Sequence, residues 1–408
     1  MLRSSVVVAV LLVACGPEPR EVSAPDGDIG VAVAATNAFT WDAYVQLVGD
    51  SDEDNLFVSP FSMHAALSMV LAGAEGETEA EMADVLHVSD ESAHHPGLGA
   101  LIRDLSEARR RPYTLSVANR IWGQDSVVWE EPFLAVNRDN YGVEVELRDI
   151  VGNPERTRRD VNEWVAGRTQ DRIPELFAPG QISDRTVMVL ANAIYFLADW
   201  KDPFDVENTR PADFTTLEGE VVQVETMHRT DPSRHHVADG FEVLGMPYES
   251  DEVAMWVVLP DLDSSLPELE AQLDVETLTA AFERAESVSV ELALPKLEAR
   301  TRLQLAPALS AMGMPLAFLE QADFSGMSKD APLLIDEAVH EAYVRVDEEG
   351  TEAAAATGVG IRALSAEPEP IAFTVDRPYL FAIRDELTGA VLFMGRVTHP
   401  ADVLPADG

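Results

Sequence analysis

The chain has one cysteine in 408 residues, so it can form no disulfide within itself and its stability must come from packing. Lysine is almost missing too: Lys201, Lys296 and Lys329 are the only three, and the remaining basic charge is arginine. Acidic residues outnumber basic ones 72 to 29, a formal charge of −43. A surface so acidic lacks the basic face that phosphate binding needs, which argues against a nucleic-acid partner. Its plainest role is a mutually repelling, solubilising coat. Enzyme signatures are lacking as well. No histidine pair has HExxH spacing, and neighbours such as His235 and His236 cannot share a helical face. There is no GxSxG elbow and no Walker-type glycine loop. We therefore expect no catalytic residues, no metal and no cofactor.

Apolar residues make up 46% of the chain, ample for a sizeable core. The N-terminus carries Arg3, the short apolar run Val6 to Ala14, and then Cys15. That run is too short to span a bilayer and reads as an export signal. Leu12-Val13-Ala14-Cys15 resembles the lipobox of bacterial lipoproteins, which implies lipidation of Cys15 and a mature chain held at a membrane only by that lipid. Pro17, Glu18 and Pro19 follow, so residues 15–30 read as a tether after a signal at 1–14. No internal repeat interrupts residues 31–400, which we read as one domain before a short tail at 401–408.

Within that domain, helical spacing runs from Val31 through Phe39, Tyr44 and Leu47. Ser59-Pro60 gives a helix start, and Ala66, Met69, Val70 and Gly73 continue a buried face. Thr114 to Trp122 is strand-like, Val161 to Leu176 has a helical pattern, and Val187 to Trp200 suits a strand buried on both faces. Short strands are expected from Phe214 to Pro260, a helix over Ser264 to Ala285, and alternation over Val288 to Leu297. In Ala338 to Asp347 the residues Ala338, His340, Ala342, Val344 and Val346 share one face, with Glu341, Tyr343, Arg345 and Asp347 on the other. His340 alone reads as a hydrogen-bonded core residue.

The stretch after that strand, EEGTEAAAATGVGIRALS from Glu348 to Ser365, has no apolar period and is long for a loop in a compact domain. One reading is a short exposed helix with Thr351 as its cap. Another continues the strand, so that Thr351, Ala353, Ala355 and Thr357 point inward and Glu352 points out.

These residues resemble the reactive-centre loop of the serpins, serine-protease inhibitors. So do NLFVSPFSMHAALSMVLAGAEGETEAEM (Asn55 to Met82), ANRIWGQ, VNEWVAGRTQDRIPEL, VMVLANAIYFLADW, the run Pro295 to Met327, and DRPYLFAIRDELTGAVLFMGRVTHP (Asp376 to Pro400). The resemblance spans about Val31 to Pro400. It implies an α+β serpin fold, with a large mixed, mainly antiparallel central sheet, smaller sheets, about nine helices and an exposed loop near residues 348–370. It implies a hinge at Glu348, Gly350, Thr351, Glu352, Ala353, Ala354, Ala355, Ala356 and Thr357. A polar shutter falls on Ser59, Ser62, Asn192 and His340, and a breach on Trp200, Lys296 and Glu348. The implied partner is a serine protease, trapped as an acyl-enzyme when the cut loop enters the sheet as an extra strand. The family's spacing from Glu348 places the cut at Leu364–Ser365, which favours chymotrypsin-like or elastase-like targets. Spacing measured back from Pro378 lands nearer Glu367, and Arg362–Ala363 is the rival bond. The alternative is a non-inhibitory carrier or protease substrate on the same fold. We expect an exported monomer.

Overall fold

The computed structural model describes residues 27–50, 55–106, 113–249, 251–351 and 369–400. The first half runs α1 (Ile29–Asp50), β1 (Leu56–Val58), α2 (Pro60–Leu71), α3 (Gly76–Val85), α4 (Glu91–Ser106) and β2 (Tyr113–Gln124). It continues through α5 (Glu131–Tyr141), β3 (Glu146–Arg148), α6 (Pro154–Arg168) and β4 (Met188–Asp199). Next come β5 (Arg210–Thr215), β6 (Val221–Val237), β7 (Phe241–Pro247), β8 (Val253–Pro260), α7 (Leu266–Glu270) and α8 (Val275–Arg284). The remainder is β9 (Glu286–Pro295), β10 (Leu297–Gln304), α9 (Leu305–Met312), β11 (Val339–Val346), β12 (Gly350–Thr351), β13 (Ile371–Thr374), β14 (Tyr379–Asp385) and β15 (Val391–Val397).

Two sheets form among the described residues. A nine-stranded sheet runs β1-β15-β14-β8-β7-β6-β9-β13 with β5 on β6; a six-stranded sheet runs β10-β11-β12-β4-β2-β3. Pairing is antiparallel except for β13 on β9 and β3 on β2, so both sheets are mixed. Strands β8, β14 and β15 are buried at every residue, including Arg384, Asp385 and Arg396. The two sheets pack face to face: Leu115, Ile194 and Phe196 of one meet Val257, Leu292 and Phe393 of the other in one apolar cluster. Helix α2, buried along its whole length, starts where Ser59 Oγ accepts from the Ser62 N–H at 3.2 Å. On the outer face of the six-stranded sheet, Val161 and Val165 of α6 cover Trp122, Val189, Ala191, Ala193 and Val339.

Three elements differ from expectation. The helix placed at Val161 to Leu176 is α6, which begins earlier and stops at Arg168. Gln170 and Asp171 turn the chain through left-handed conformations (φ 50° and 62°). The apolar residues beyond are buried all the same, because Asn162 Oδ1 accepts from the backbone N–H of Leu176 and Phe177. The helix expected over Ser264 to Ala285 is two. A capping box at Ser265 and Glu268 starts α7, and Asp274 caps α8 afresh. Finally, β6 is a long strand of 17 residues that supports β5, β7 and β9.

Candidate functional site

The site is a seam in the six-stranded sheet, where β4 and β11 are joined through the two-residue strand β12. Gly350 lies opposite Asp199, and Thr351 lies opposite both Ala198 and Val346. Two residues of the expected hinge, Gly350 and Thr351, thus already lie in the sheet. Glycine is required there by close approach, since a β-carbon at 350 would lie 2.1 Å from the Ala198 carbonyl oxygen. Thr351 is buried, and its hydroxyl is 2.6 Å from that of Tyr248. Inward orientation of Thr351 is therefore observed. Tyr248 was not among the expected residues; its buried phenol titrates well above the usual range because burial disfavours the charged form.

Above β12 the breach residues come together. Lys296 Nζ donates to Glu348 Oε2 at 2.8 Å, and the Thr209 hydroxyl donates to Glu348 Oε1 at 2.8 Å. Burial pushes the Glu348 carboxyl up, but these bonds outweigh it and hold it below the usual range. Trp200 donates its indole N–H to the Asp347 carbonyl at 2.9 Å and stacks on Tyr248 with centroids 4.5 Å apart. Backbone N–H groups of Trp200 and Phe204 donate to the carbonyls of Glu349 and Glu348. Every polar group named here has a partner.

Lower in the seam the shutter residues also meet, beneath the sheet against α2. The Ser59 N–H donates to His340 Nε2 at 3.1 Å, while the Ser59 hydroxyl donates to the Leu392 carbonyl at 2.7 Å. Because the serine hydroxyl is committed elsewhere, Ser59 and His340 are not a nucleophile and its base. Asn192 donates to the Ser62 hydroxyl at 2.6 Å and to Asn119 Oδ1 at 2.5 Å. Asn119, its opposite on β2, was also unforeseen. An asparagine inside each of two paired strand segments, ANRIWGQ and LANAIYF, was the available signal. Burial lowers the His340 pKa to about 4, so the ring is neutral. With Nε2 accepting, Nδ1 carries the proton, and among the described residues neither it nor Asn192 Oδ1 has a partner. Just below lies a small hollow of about 40 Å³, lined by Leu190, Leu305, Ile335 and Ala338 among others.

On the outward face of β11, Glu341 is buried rather than exposed and pairs with Arg300 at 3.1 Å. Glu352, Ala353, Ala354, Ala355, Ala356 and Thr357, both proposed bonds (Leu364–Ser365 and Arg362–Ala363) and Cys15 lie outside the described residues. Among the described residues no cluster of ligating side chains suits a metal, and no helix is long and apolar enough to cross a membrane.

Comparison with known proteins agrees with this architecture. Residues 34–400 match the family model described as Serpin (serine protease inhibitor). An uncharacterized serpin-like protein of Thermococcus kodakarensis is 36% identical, covering 92% of this chain and 88% of its own. A leukocyte elastase inhibitor of Bos taurus is also 36% identical, with 90% and 99% covered. The crystal structure of tengpin, a thermophilic serpin in its native state, superposes with a TM-score of 0.81 at 27% identity, covering 90% of this chain and 94% of that one.

Proposed function

The chain belongs to the serpins, a family of protease inhibitors and not of enzymes, and from that premise we propose that it is an irreversible suicide-substrate inhibitor of serine proteases. The target's serine attacks the loop, preferentially at Leu364–Ser365, and an acyl-enzyme forms. The freed hinge then enters the seam as a full strand and carries the protease with it, so that deacylation stalls.

One observation carries this reading: β12 already occupies the seam in register. Each step forward along the loop moves one step back along both neighbours. Continued in that register, Ala353 would fall opposite Phe196 and Val344, and Ala355 opposite Ile194 and Ala342. Thr357 would fall between Asn192 and His340, whose two orphaned atoms need a donor and an acceptor. A threonine hydroxyl supplies both. Val359 would then reach Leu190 and Ala338, at the apolar hollow. Every inward residue has the size and polarity of its berth. About a dozen ladder hydrogen bonds at roughly 1 kcal/mol net each, plus apolar burial, drive the transition. The intact fold is accordingly metastable and kinetically protected.

The leader sequence supports a further proposal: an exported bacterial lipoprotein, anchored through Cys15 and monomeric. The decisive experiment mixes soluble chain lacking Cys15 with chymotrypsin, elastase and trypsin in turn. A complex that survives a denaturing gel, with a released peptide starting at Ser365, is the expected result. A peptide starting at Ala363 keeps the trap and moves specificity to arginine. Clean cleavage without complex, and without gain in heat stability, overturns inhibition and leaves a carrier or substrate role.

A further inference from the structure

Three buried histidines meet between α2, α4 and α5. The rings of His64 (α2) and His94 (α4) have centroids 5.2 Å apart, those of His94 and His95 5.7 Å, and those of His95 and Tyr141 (α5) 5.8 Å. His64 Nε2 donates to the Leu86 carbonyl at 3.0 Å, which leaves Nδ1 to accept from the Thr36 hydroxyl of α1 at 3.2 Å. His94 Nε2 lies 3.0 Å from the Ser68 hydroxyl, and its Nδ1 is buried with no partner among the described residues. His95 Nδ1 lies 2.7 Å from the Tyr141 hydroxyl, which also meets Ser68, and its Nε2 lies 3.4 Å from Glu91 Oε2. One polar line thus runs inward from a carboxylate at the surface to His94.

Few charges face this line. Glu79 of α3 lies against Glu91, and its carboxyl titrates above the usual range through burial first and Glu91 second. His87, after α3, stands toward His64 and pairs with Asp42 of α1 at 2.7 Å. Arg103 is turned to the Asn140 carbonyl of α5. No carboxylate is bonded to His64 or His94 among the described residues, so burial holds them down at about 4 and about 2. Helix α4 is also a weak helix by itself. Its sequence HHPGLG includes Pro96, which lacks a helical N–H, and two glycines. Packing demands those glycines: a β-carbon at 97 would lie 2.5 Å from the Asp28 carbonyl oxygen, and one at 99 would lie 2.2 Å from that of Asn140. What holds α4 is its neighbours and not its own propensity.

We propose that α4 is an acid-released latch, parted from α2 and α5 when the group His64, His94 and His95 takes up protons, while both sheets stay folded. Rings freed by opening protonate near the ordinary histidine value, so the open state binds more protons and gains as pH falls below about 6.5. Helix α2 then loses the contacts of His64 and Ser68 with α4, and the shutter residues Ser59 and Ser62 lie at its start. A loosened α2 would let the seam take up the uncut loop and spend the inhibitor. This second statement rests on the inhibitory reading; the latch does not.

The test is amide exchange on the whole chain, read by mass spectrometry as protection factors at about pH 7.5 and about pH 5. We expect α4 to lose at least about tenfold in protection on acidification while β8 stays protected. His94→Gln keeps a group that can bond Ser68 and cannot be charged, so it should give back most of that loss. His87→Gln, at the surface pair, should respond as wild type does. Equal protection of α4 at both pH values overturns the latch. So does loss of α4 and β8 together, which is global unfolding, or an undiminished response in His94→Gln. For the coupling, protein held at the lower pH and returned to the higher is mixed with a protease that it traps. Wild type should then need at least about twice as many inhibitor molecules per protease, and His94→Gln should not. An unchanged number with α4 released overturns the coupling and leaves the latch intact.

Discussion

The two ends of the seam hold the sheet closed by different means. At the breach, Lys296, Thr209, Trp200 and Tyr248 satisfy Glu348, Asp347 and Thr351, and β12 is already in place. At the shutter, Asn192 Oδ1 and His340 Nδ1 are buried without partners among the described residues. An unmet buried polar group costs about 1–3 kcal/mol, so the shutter lies above the energy it would have with a complementary strand in place. A closed, satisfied end beside an unsatisfied one is what a sheet poised to take a strand needs. On the proposed mechanism the first end would fix the register and the second would reward completion.

The most disruptive way to break this contrast is Thr351→Arg. It places a charge in a buried berth beside Tyr248, and the trap should fail. On a denaturing gel nearly all of the variant should run as cleaved substrate, with covalent complex reduced at least about tenfold.

Acidification attacks the other end. Burial lowers His340 and His64 to about 4 and His94 to about 2, whereas in the unfolded chain they protonate near the ordinary histidine value. The unfolded chain thus binds more protons, and stability falls as pH drops from about 6.5 to about 4, with His94 extending the loss below that. The shift at His340 corresponds to the order of 3 kcal/mol when complete. Unfolding rates should stay level from pH 8 to about 6.5 and rise as pH falls from there to about 4, and His340→Gln should remove part of the slope. A rate independent of pH would mean that the shutter imidazole is not held neutral.

Thr357→Val sharpens the comparison by asking whether the orphaned pair has a partner in waiting. Intact protein should melt as wild type does. The cut, inserted form should lose about 1–2 kcal/mol, read as a smaller gain in melting temperature on cleavage. Equal gains would place another residue at the shutter and revise the register.

Lys296→Met should have the smallest effect. Lys296 is a third exposed and its ion pair is worth about 1 kcal/mol or less, while Thr209 still holds Glu348. Amide exchange at Gly350 and Thr351 should quicken several-fold with global stability little changed.

Much of this was legible in the chain. Ser59-Pro60 marks the start of α2 because proline suits a first helical turn, and the run Val187 to Trp200 suited a strand buried on both faces, found at Met188–Asp199. Shutter and breach residues were found through resemblance to a family, since nothing in their spacing brings Ser59 to His340 or Lys296 to Glu348. Tyr248, Thr209 and Asn119 escaped notice because each gains its role from a neighbour distant in sequence. The end of α6 was misjudged for a related reason. Ile173, Leu176 and Phe177 keep a helical apolar rhythm, but Thr169 Oγ1 accepts from the Ile173 N–H and Asn162 Oδ1 from those of Leu176 and Phe177, which holds the segment as a turn.

The sequence by itself determined where most strands and helices lie, though not all their bounds, which residues near the hinge are small, and that no internal disulfide or catalytic motif is present. These follow from local periodicity, side-chain size and composition. Tertiary structure alone decided that Gly350 and Thr351 already lie between β11 and β4, and that two buried polar atoms in the shutter lack partners among the described residues. Register and hydrogen-bond satisfaction are properties of strands meeting across long separations in the chain, and no local pattern encodes them.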